Sequence, residues 1–197
     1  IIKYLFMSTD IQIEKKKTHP YFFYLWGGLG SIVMMFAGLT SAYIVKKSQA
    51  NWLEFDMPTV FIISTGVILL SSFTIQMAVK KFKEQNENQY RGFLTLTAIL
   101  GVVFVILQAQ GFKALEGNSI SLIGPRSNSA ASFLFVITVL HMIHVIGGVI
   151  ALIWISLKAF SAKNGLNNEM PVKLISNYWH FVDILWVYLF VFLNWVG

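Results

Sequence analysis

The sequence contains no cysteine and few charged residues. The absence of cysteine excludes a disulfide and any metal site built on thiolate ligands. Charged side chains make up only 12% of the 197 residues, which is about half the share found in soluble domains. Hydrophobic residues, in contrast, make up 56% of the chain and are gathered into long runs. This composition predicts an integral membrane protein.

Five apolar segments are long enough to cross a bilayer, which takes about 20 residues of helix. Backbone groups in hydrocarbon must be hydrogen-bonded within the segment, and these runs lack the alternation of β-barrel strands. We therefore expect an all-α membrane protein, in which residues 1–18 form a tail and residues 19–197 form one five-helix domain. The predicted transmembrane helices cover about residues 21–45, 59–79, 92–110, 132–157 and 177–196.

Lysine and arginine are distributed unequally between the two sides of this predicted bundle. With five crossings, eleven of the 15 basic residues lie on the N-terminal side and four on the other. An excess of basic residues marks the cytoplasmic side of a membrane protein. The count predicts a cytoplasmic N-terminus and a periplasmic C-terminus. It also explains the net charge of +6 without any binding to nucleic acid.

Small residues occur in pairs on two of the predicted helices. Gly38 and Ala42 are four residues apart on the first, and Gly147 and Gly148 are adjacent on the fourth. Transmembrane helices associate where small side chains allow their backbones to approach closely. We expect these four positions to lie at contacts between helices.

Only four histidine or charged residues fall within the predicted spans: His141, His144, His180 and Asp183. Ionisable groups inside a membrane are costly and usually functional. Residues three positions apart share a helix face. His141 and His144 therefore form one pair, expected near mid-membrane, while His180 and Asp183 form a second pair, expected near the cytoplasmic end of the last helix.

The second pair predicts a structural role. A hydrogen bond between His180 and Asp183 would orient the end of the last helix against its neighbours. Trp179 and Trp186 flank the pair, and tryptophan is enriched at the membrane interface. We expect one of these two indoles to anchor there.

The first pair raises the alternative of a haem site, since histidine is a common axial ligand. His141 and His144 lie on one face of one helix, however, which suits a ligand pair poorly, and no carboxylate lies near them in the sequence. The favoured interpretation is two neutral imidazoles hydrogen-bonded to neighbours such as Thr138 or to another helix. We expect no catalytic, cofactor-binding or metal-binding residue in this chain. The alternatives are a small membrane b-type cytochrome and a transporter subunit, although the predicted spans contain no proline to break a helix.

Three segments carry a resemblance to a known family: "YWHFVDILWVYLF" (Tyr178–Phe190), "TVLHMIHVIGG" (Thr138–Gly148) and "VILQAQGF" (Val105–Phe112). The chain resembles subunit III of the haem-copper respiratory oxidases, which include cytochrome c oxidase and quinol oxidase. It is similar to the short bacterial form with five helices. The order and spacing of the three segments agree with that family.

The resemblance implies a subunit without redox centres in the bacterial inner membrane. Such a subunit would support the stability, lipid binding and proton uptake of subunit I, which carries the haem and copper that reduce oxygen. Other oxidase subunits, bound phospholipid and a respiratory supercomplex are the implied partners. Two positions depart from the family pattern, because Ile32 and Gly111 stand where an acidic residue is common. We therefore expect the histidine pair to find hydroxyl or backbone partners instead.

Overall fold

Five long α-helices account for nearly all of the described residues in the computed structural model, which describes residues 20–48, 58–117, 129–161 and 169–196. They are α1 (Pro20–Lys47), α2 (Thr59–Lys83), α3 (Glu87–Gly117), α4 (Ser129–Ser161) and α5 (Glu169–Val196). All five are long and apolar enough to cross a membrane. The predicted all-α bundle of five membrane-spanning helices is confirmed. The predicted tail at residues 1–18 lies outside the described residues.

Most helices extend beyond the predicted apolar runs. The polar stretch between the predicted spans 59–79 and 92–110 is largely helical, because α2 continues to Lys83 and α3 begins at Glu87. Only residues 84–86 separate them. A helix that has left the hydrocarbon can continue with polar residues, since its backbone hydrogen bonds are already made internally. Hydrophobic length alone therefore underestimates these helices.

The turn between α2 and α3 is held by backbone hydrogen bonds and one side-chain cap. Gln85 adopts a left-handed conformation with φ of 57°. Its N–H donates to the carbonyl of Phe82 and the N–H of Asn86 donates to the carbonyl of Lys81, both at 3.1 Å. This is a Schellman-type end, which satisfies the last carbonyls of α2. The side-chain oxygen of Asn86 then accepts the N–H of Gln89 at 3.3 Å and caps the start of α3.

Helices α2 to α5 form a four-helix ring, and α1 packs on the outside of it. Each ring helix contacts the next, with α2 packing against α3 and α5, and α4 packing against α3 and α5. Among the five described helices, α1 contacts α4 and α5 but not α2 or α3. The interior of the bundle is largely aromatic. Its largest fully buried side chains include Trp179, Trp186, Tyr43, Tyr90, Phe36, Phe61 and Phe104.

Helix α1 is attached to α5 mainly near their C-terminal ends. The Lys47 ammonium donates a hydrogen bond to the carbonyl of Val196. The rings of Tyr43 and Phe192 meet with centroids 5.5 Å apart. Further toward the middle of both helices, an apolar cleft of about 350 Å³ lies between them. Seven residues line this α1–α5 cleft: Val33, Phe36, Ala37, Phe181, Ile184, Leu185 and Tyr188.

Candidate functional site: polar groups within the membrane spans

His141 is enclosed by aromatic rings. Its side chain is fully buried and stacks on Trp186 with centroids 5.1 Å apart and an interplanar angle of 29°. The edges of Phe104 and Phe36 approach it with centroids at 6.1 and 6.4 Å. Neither ring nitrogen has a hydrogen-bond partner among the described residues, and the same is true of the Thr138 hydroxyl. The expected bond between them is not formed, because rings from α1, α3 and α5 surround the imidazole.

His144 has a backbone partner on its own helix. Its Nδ1 lies 2.7 Å from the carbonyl oxygen of Leu140, so Nδ1 carries the proton and donates it. The Phe36 ring lies against this imidazole as well, with centroids 5.9 Å apart. Ile32 is half-buried on α1, one turn before Phe36. An aromatic ring of α1 thus contacts both histidines.

His180 binds α2 and does not bind Asp183. Its Nδ1 lies 2.7 Å from the Ser72 hydroxyl oxygen, and its Nε2 lies 3.1 Å from the amide oxygen of Gln76. Because an amide oxygen can only accept, Nε2 carries the proton and Ser72 donates to Nδ1. The predicted bond between His180 and Asp183 is therefore wrong. Helix α2 packs against α5 and satisfies both imidazole nitrogens, which leaves none for the carboxyl group.

Asp183 is buried without a hydrogen bond. Its side chain is 2% exposed, and neither carboxyl oxygen has a partner among the described residues. An ionised carboxylate is expensive in such a place. Asp183 is therefore a buried polar group that packing alone does not explain.

Trp179 and Trp186 lie inside the bundle. They are 0% and 1% exposed, so the prediction that one of them anchors at the membrane interface is wrong. The indole N–H of Trp179 donates to the Ser71 hydroxyl and that of Trp186 to the Thr65 hydroxyl, each at 3.0 Å. A buried indole needs an acceptor for its N–H. Helix α2 supplies one to each.

Helix α2 is the element that sequence reasoning missed. Its polar side chains also reach α3, where the Gln108 amide donates to Ser64 at 2.8 Å and Thr74 lies 2.8 Å from Thr97. Six side chains of α2 bond to α3 or α5, and together they form what we call the α2 polar face: Ser64, Thr65, Ser71, Ser72, Thr74 and Gln76. Their clustering within one apolar run was the available signal. None of the six side chains is ionisable, so they stand out less within an apolar run than a histidine or an aspartate does.

The small residues divide into buried and exposed positions. A Cβ atom at Gly148 would lie 3.0 Å from the Trp179 ring, so this glycine lies at the contact between α4 and α5. At Gly38 and Gly147 a Cβ atom would meet nothing within 4 Å, and Ala42 is only half-buried. The predicted contacts at Gly38 and Gly147 are not formed among the residues that the structure describes, because both positions face outward from the bundle.

Two glycines outside the predicted small-residue pairs, Gly101 and Gly111, lie at close contacts between helices. A Cβ atom at Gly101 would lie 2.7 Å from both Trp179 and Val149. At Gly111 it would lie 2.9 Å from the Phe61 ring. An acidic side chain at Gly111 would require that ring to move. Gly111 therefore lies at a close contact between α3 and the Phe61 ring of α2.

Aromatic rings and hydroxyl groups fill the interior of the described bundle. His141 lies among the rings, whereas His144 and His180 have hydrogen-bond partners. Across the four described ranges, no group of three or more His, Cys, Asp or Glu is placed to hold a metal ion. The fold and the site together define a membrane-embedded five-helix subunit whose intramembrane histidines are held by packing and by hydroxyl or backbone groups.

Comparison with known proteins identifies the family. Residues 50–197 match the family described as cytochrome c oxidase subunit III, and the chain belongs to this family. A probable cytochrome c oxidase subunit 3 of Nocardia farcinica is 34% identical over 169 residues, covering 82% of this chain and 81% of the relative. The subunit 3 of the cytochrome bo(3) ubiquinol oxidase of Buchnera aphidicola is 30% identical over 196 residues, covering 95% and 91%. Cytochrome c oxidase subunit 3 of a Bacillus species, strain PS3, is 30% identical over 182 residues, covering 87% and 84%.

The chain is thus a subunit III of a haem-copper oxidase. It is a multi-pass protein of the bacterial inner membrane and associates with other oxidase subunits.

Proposed function

We propose that this subunit takes no part in electron transfer and acts by stabilising the catalytic subunit I, which carries the haem and copper. The observation that carries this proposal is the enclosure of His141, whose ring nitrogens face aromatic side chains instead of an open coordination position. His144 and His180 support it, since their nitrogens are engaged with Leu140, Ser72 and Gln76. Because its intramembrane histidines are enclosed by rings or hydrogen-bonded, the subunit would serve the complex through its contacts with other subunits and not through a redox centre.

We further propose that phospholipid binds in the α1–α5 cleft. The cleft measures about 350 Å³ and its lining is apolar apart from the Tyr188 hydroxyl, which suits an acyl chain. Filling it by Ala37→Phe should lower the phospholipid that co-purifies with the complex and shorten the time for which activity lasts. Ile150→Phe, at an exposed position on α4, is the matched control. Equal lipid retention in both variants would contradict the lipid proposal.

The proposed orientation has the N-terminal ends of α1, α3 and α5 at the cytoplasmic face, from which the oxidase takes up protons. Lys80, Lys81 and Lys83 at the end of α2 support this orientation. A reporter fused after Gly197 should then read the periplasm, and a reporter inserted at residues 84–86 should read the cytoplasm. Two reporters on the same side would contradict the orientation.

The function is tested on the purified complex. An affinity tag on this chain should recover oxidase subunits, and the complex should reduce oxygen. Removing this subunit should leave the initial rate largely intact while activity during turnover decays faster. Assays with reduced cytochrome c and with quinol would identify the electron donor, since relatives of both kinds of oxidase are similar to the chain. A stoichiometric haem that stays with the isolated chain would overturn the proposal and favour a b-type cytochrome.

A further inference from the structure

Thr138 of α4 differs from other threonines of the bundle in what its hydroxyl group binds. The hydroxyls of Thr40, Thr65 and Thr97 each donate to the backbone carbonyl four residues earlier in their own helix, at 2.8–3.0 Å. Thr138 is 1% exposed, yet its hydroxyl has no partner among the described residues. A helical threonine reaches that carbonyl in one of its two common rotamers. The hydroxyl of Thr138 is therefore turned away from its own backbone.

Gln108 of α3 carries a second buried polar atom without a partner. Its side chain is 0% exposed, and its amide nitrogen donates to the Ser64 hydroxyl at 2.8 Å. Because Ser64 uses its own proton on the carbonyl of Phe61, it can only accept from Gln108, and this fixes the orientation of the amide. The amide oxygen has no donor among the described residues. It lies on the other branch of the amide from the nitrogen that binds α2.

Thr138 and Gln108 lie at one level of the interface between α3 and α4. Two contacts between rings bracket them along the helices, with centroids 6.1 and 5.2 Å apart: Phe104 with His141, and Phe112 with Phe135. Gln108 is midway between the two positions on α3, and Thr138 is midway between the two on α4. Steps of three and four residues keep each side chain on the same helix face as its ring neighbours. The two unpartnered oxygens are thus brought to the same part of the interior.

We propose that one buried water molecule binds between Gln108 and Thr138 and links α3 to α4. A hydroxyl group can rotate toward any acceptor within reach, so the lack of a bond between these side chains shows that their oxygens are too far apart for direct contact. A water about 2.8 Å from each oxygen spans a separation of about 4.5–5 Å.

The hydrogen bonds of this water follow from the two side chains. It donates one proton to the amide oxygen of Gln108 and accepts the hydroxyl proton of Thr138. The carbonyl of Leu134, to which Thr138 does not donate, takes the second proton. Three bonds are usual for a buried water. His141 takes no part, because aromatic rings enclose its imidazole.

This inference goes beyond the proposed function, since the site lies wholly within the subunit and needs no partner chain. The water supplies a polar link between two layers of aromatic contacts. It fixes the level of α3 against α4, which ring packing alone would hold less strictly because a ring contact has no single required distance.

A density map of the purified oxidase complex, at a resolution that shows ordered water, tests the site directly. One peak should lie within about 2.7–3.2 Å of both the Gln108 amide oxygen and the Thr138 hydroxyl oxygen. A direct hydrogen bond between the two side chains would overturn the proposal. So would a map in which other buried waters are seen but no peak lies between these two oxygens.

A double-mutant cycle tests the same link by stability, with thermal unfolding of the full chain in detergent. Thr138→Val keeps the shape of the side chain and removes the hydroxyl. In the otherwise unsubstituted chain it should lower the unfolding midpoint by about 2–4 °C, since the water loses a partner. In the Gln108→Leu background it should leave the midpoint unchanged or raise it. Equal shifts in the two backgrounds would contradict a bridge between these residues.

Ser156 provides the matched control. Its hydroxyl is also buried on α4 without a partner among the described residues, but it lies 18 residues from Thr138, or about 27 Å along the helix. Ser156→Ala should therefore shift the midpoint by the same amount with and without Gln108→Leu. If its shift depends on Gln108 as strongly as that of Thr138→Val, the coupling is not specific to the proposed site and the proposal fails.

Discussion

The two polar pairs of this bundle have the same spacing in sequence and opposite environments. His141 and His144 on α4, like His180 and Asp183 on α5, are three residues apart. His141 is surrounded by aromatic rings and makes no hydrogen bond among the described residues. His180 makes two, both with side chains of α2. Within the second pair the histidine is satisfied and the acid is left without a partner.

The difference lies in what the neighbouring helices present. Helix α4 is approached at His141 by rings from α1, α3 and α5, whereas α5 is approached at His180 by the α2 polar face. A shared helix face brings two side chains near each other but does not make them partners. An unsatisfied polar group is costly in lipid. A polar side chain there therefore takes as its hydrogen-bond partner the closest hydroxyl or amide on an adjacent helix.

The largest expected effect comes from changing how α4 packs on α5. Gly148 lies against Trp179, the residue before His180, so Gly148→Leu should force these helices apart at a cost of about 1–3 kcal/mol in the free energy of unfolding. Gly147→Leu is the matched control. Its side chain would point into open space, and leucine favours helix over glycine by up to about 1 kcal/mol. Denaturation in detergent should separate the two variants with opposite signs, and equal destabilisation would show that the α4–α5 register is misassigned.

The next largest effect is the difference in stability between substitutions at His180 and at His141. His180→Leu leaves the Ser72 hydroxyl and the Gln76 amide oxygen without their partner, which should lower the free energy of unfolding by about 1–3 kcal/mol. His141→Phe keeps an aromatic ring on Trp186 and removes two nitrogens that have no hydrogen-bond partner in the described part of the chain. Its free energy of unfolding should be unchanged or higher. Thermal unfolding of both variants in one detergent gives the measurement. A strongly destabilising His141→Phe would mean that the His141 nitrogens are engaged after all.

The smallest effect is expected at Asp183. Asp183→Asn keeps the shape of the side chain and removes the ionisable proton. Because the carboxyl group has no hydrogen-bond partner among the described residues, an amide of the same shape loses no bond there, and the free energy of unfolding should change less than in the two comparisons above. The initial rate of oxygen reduction should be unchanged, and the subunit should stay in the complex. A fully assembled, stable complex whose initial rate has collapsed would identify Asp183 as a proton carrier and would give the second pair a role that the first lacks.

The number of helices and their approximate positions could be predicted because hydrophobic length is a local property of the chain. The ends of α2 and α3 could not, since Lys83 and Glu87 are helical without being apolar. The sequence also singled out His141, His144, His180 and Asp183, because ionisable residues stand out within apolar runs. Their partners depend on which helices are adjacent, and that is a property of the whole bundle.

The predictions for the tryptophans and glycines were wrong for the same reason, since they too depend on which helices are adjacent. Trp179 and Trp186 have the composition of interface anchors, but Ser71 and Thr65 on α2 accept their indole protons inside the bundle. Gly147 and Gly148 are adjacent in sequence, yet only Gly148 faces α5. A rotation of about 100° between consecutive residues separates a contact from an exposed position. The spacing of small residues identifies one face of a helix, but it does not show whether that face contacts another helix or lipid.

The three-residue turn between α2 and α3 sets an order for biosynthesis. These helices leave the ribosome consecutively and enter the membrane as a hairpin, so the hydrogen bonds between them can form before the chain is complete. The hydroxyls that accept from Trp179 and Trp186 must wait for α5, the last described helix to be made. Until then only Ser64 and Thr74, of the six side chains in the α2 polar face, can bond to a neighbouring helix. A nascent chain stopped before α5 would present that face to lipid, where chaperones and proteases of the membrane can distinguish it from the finished subunit.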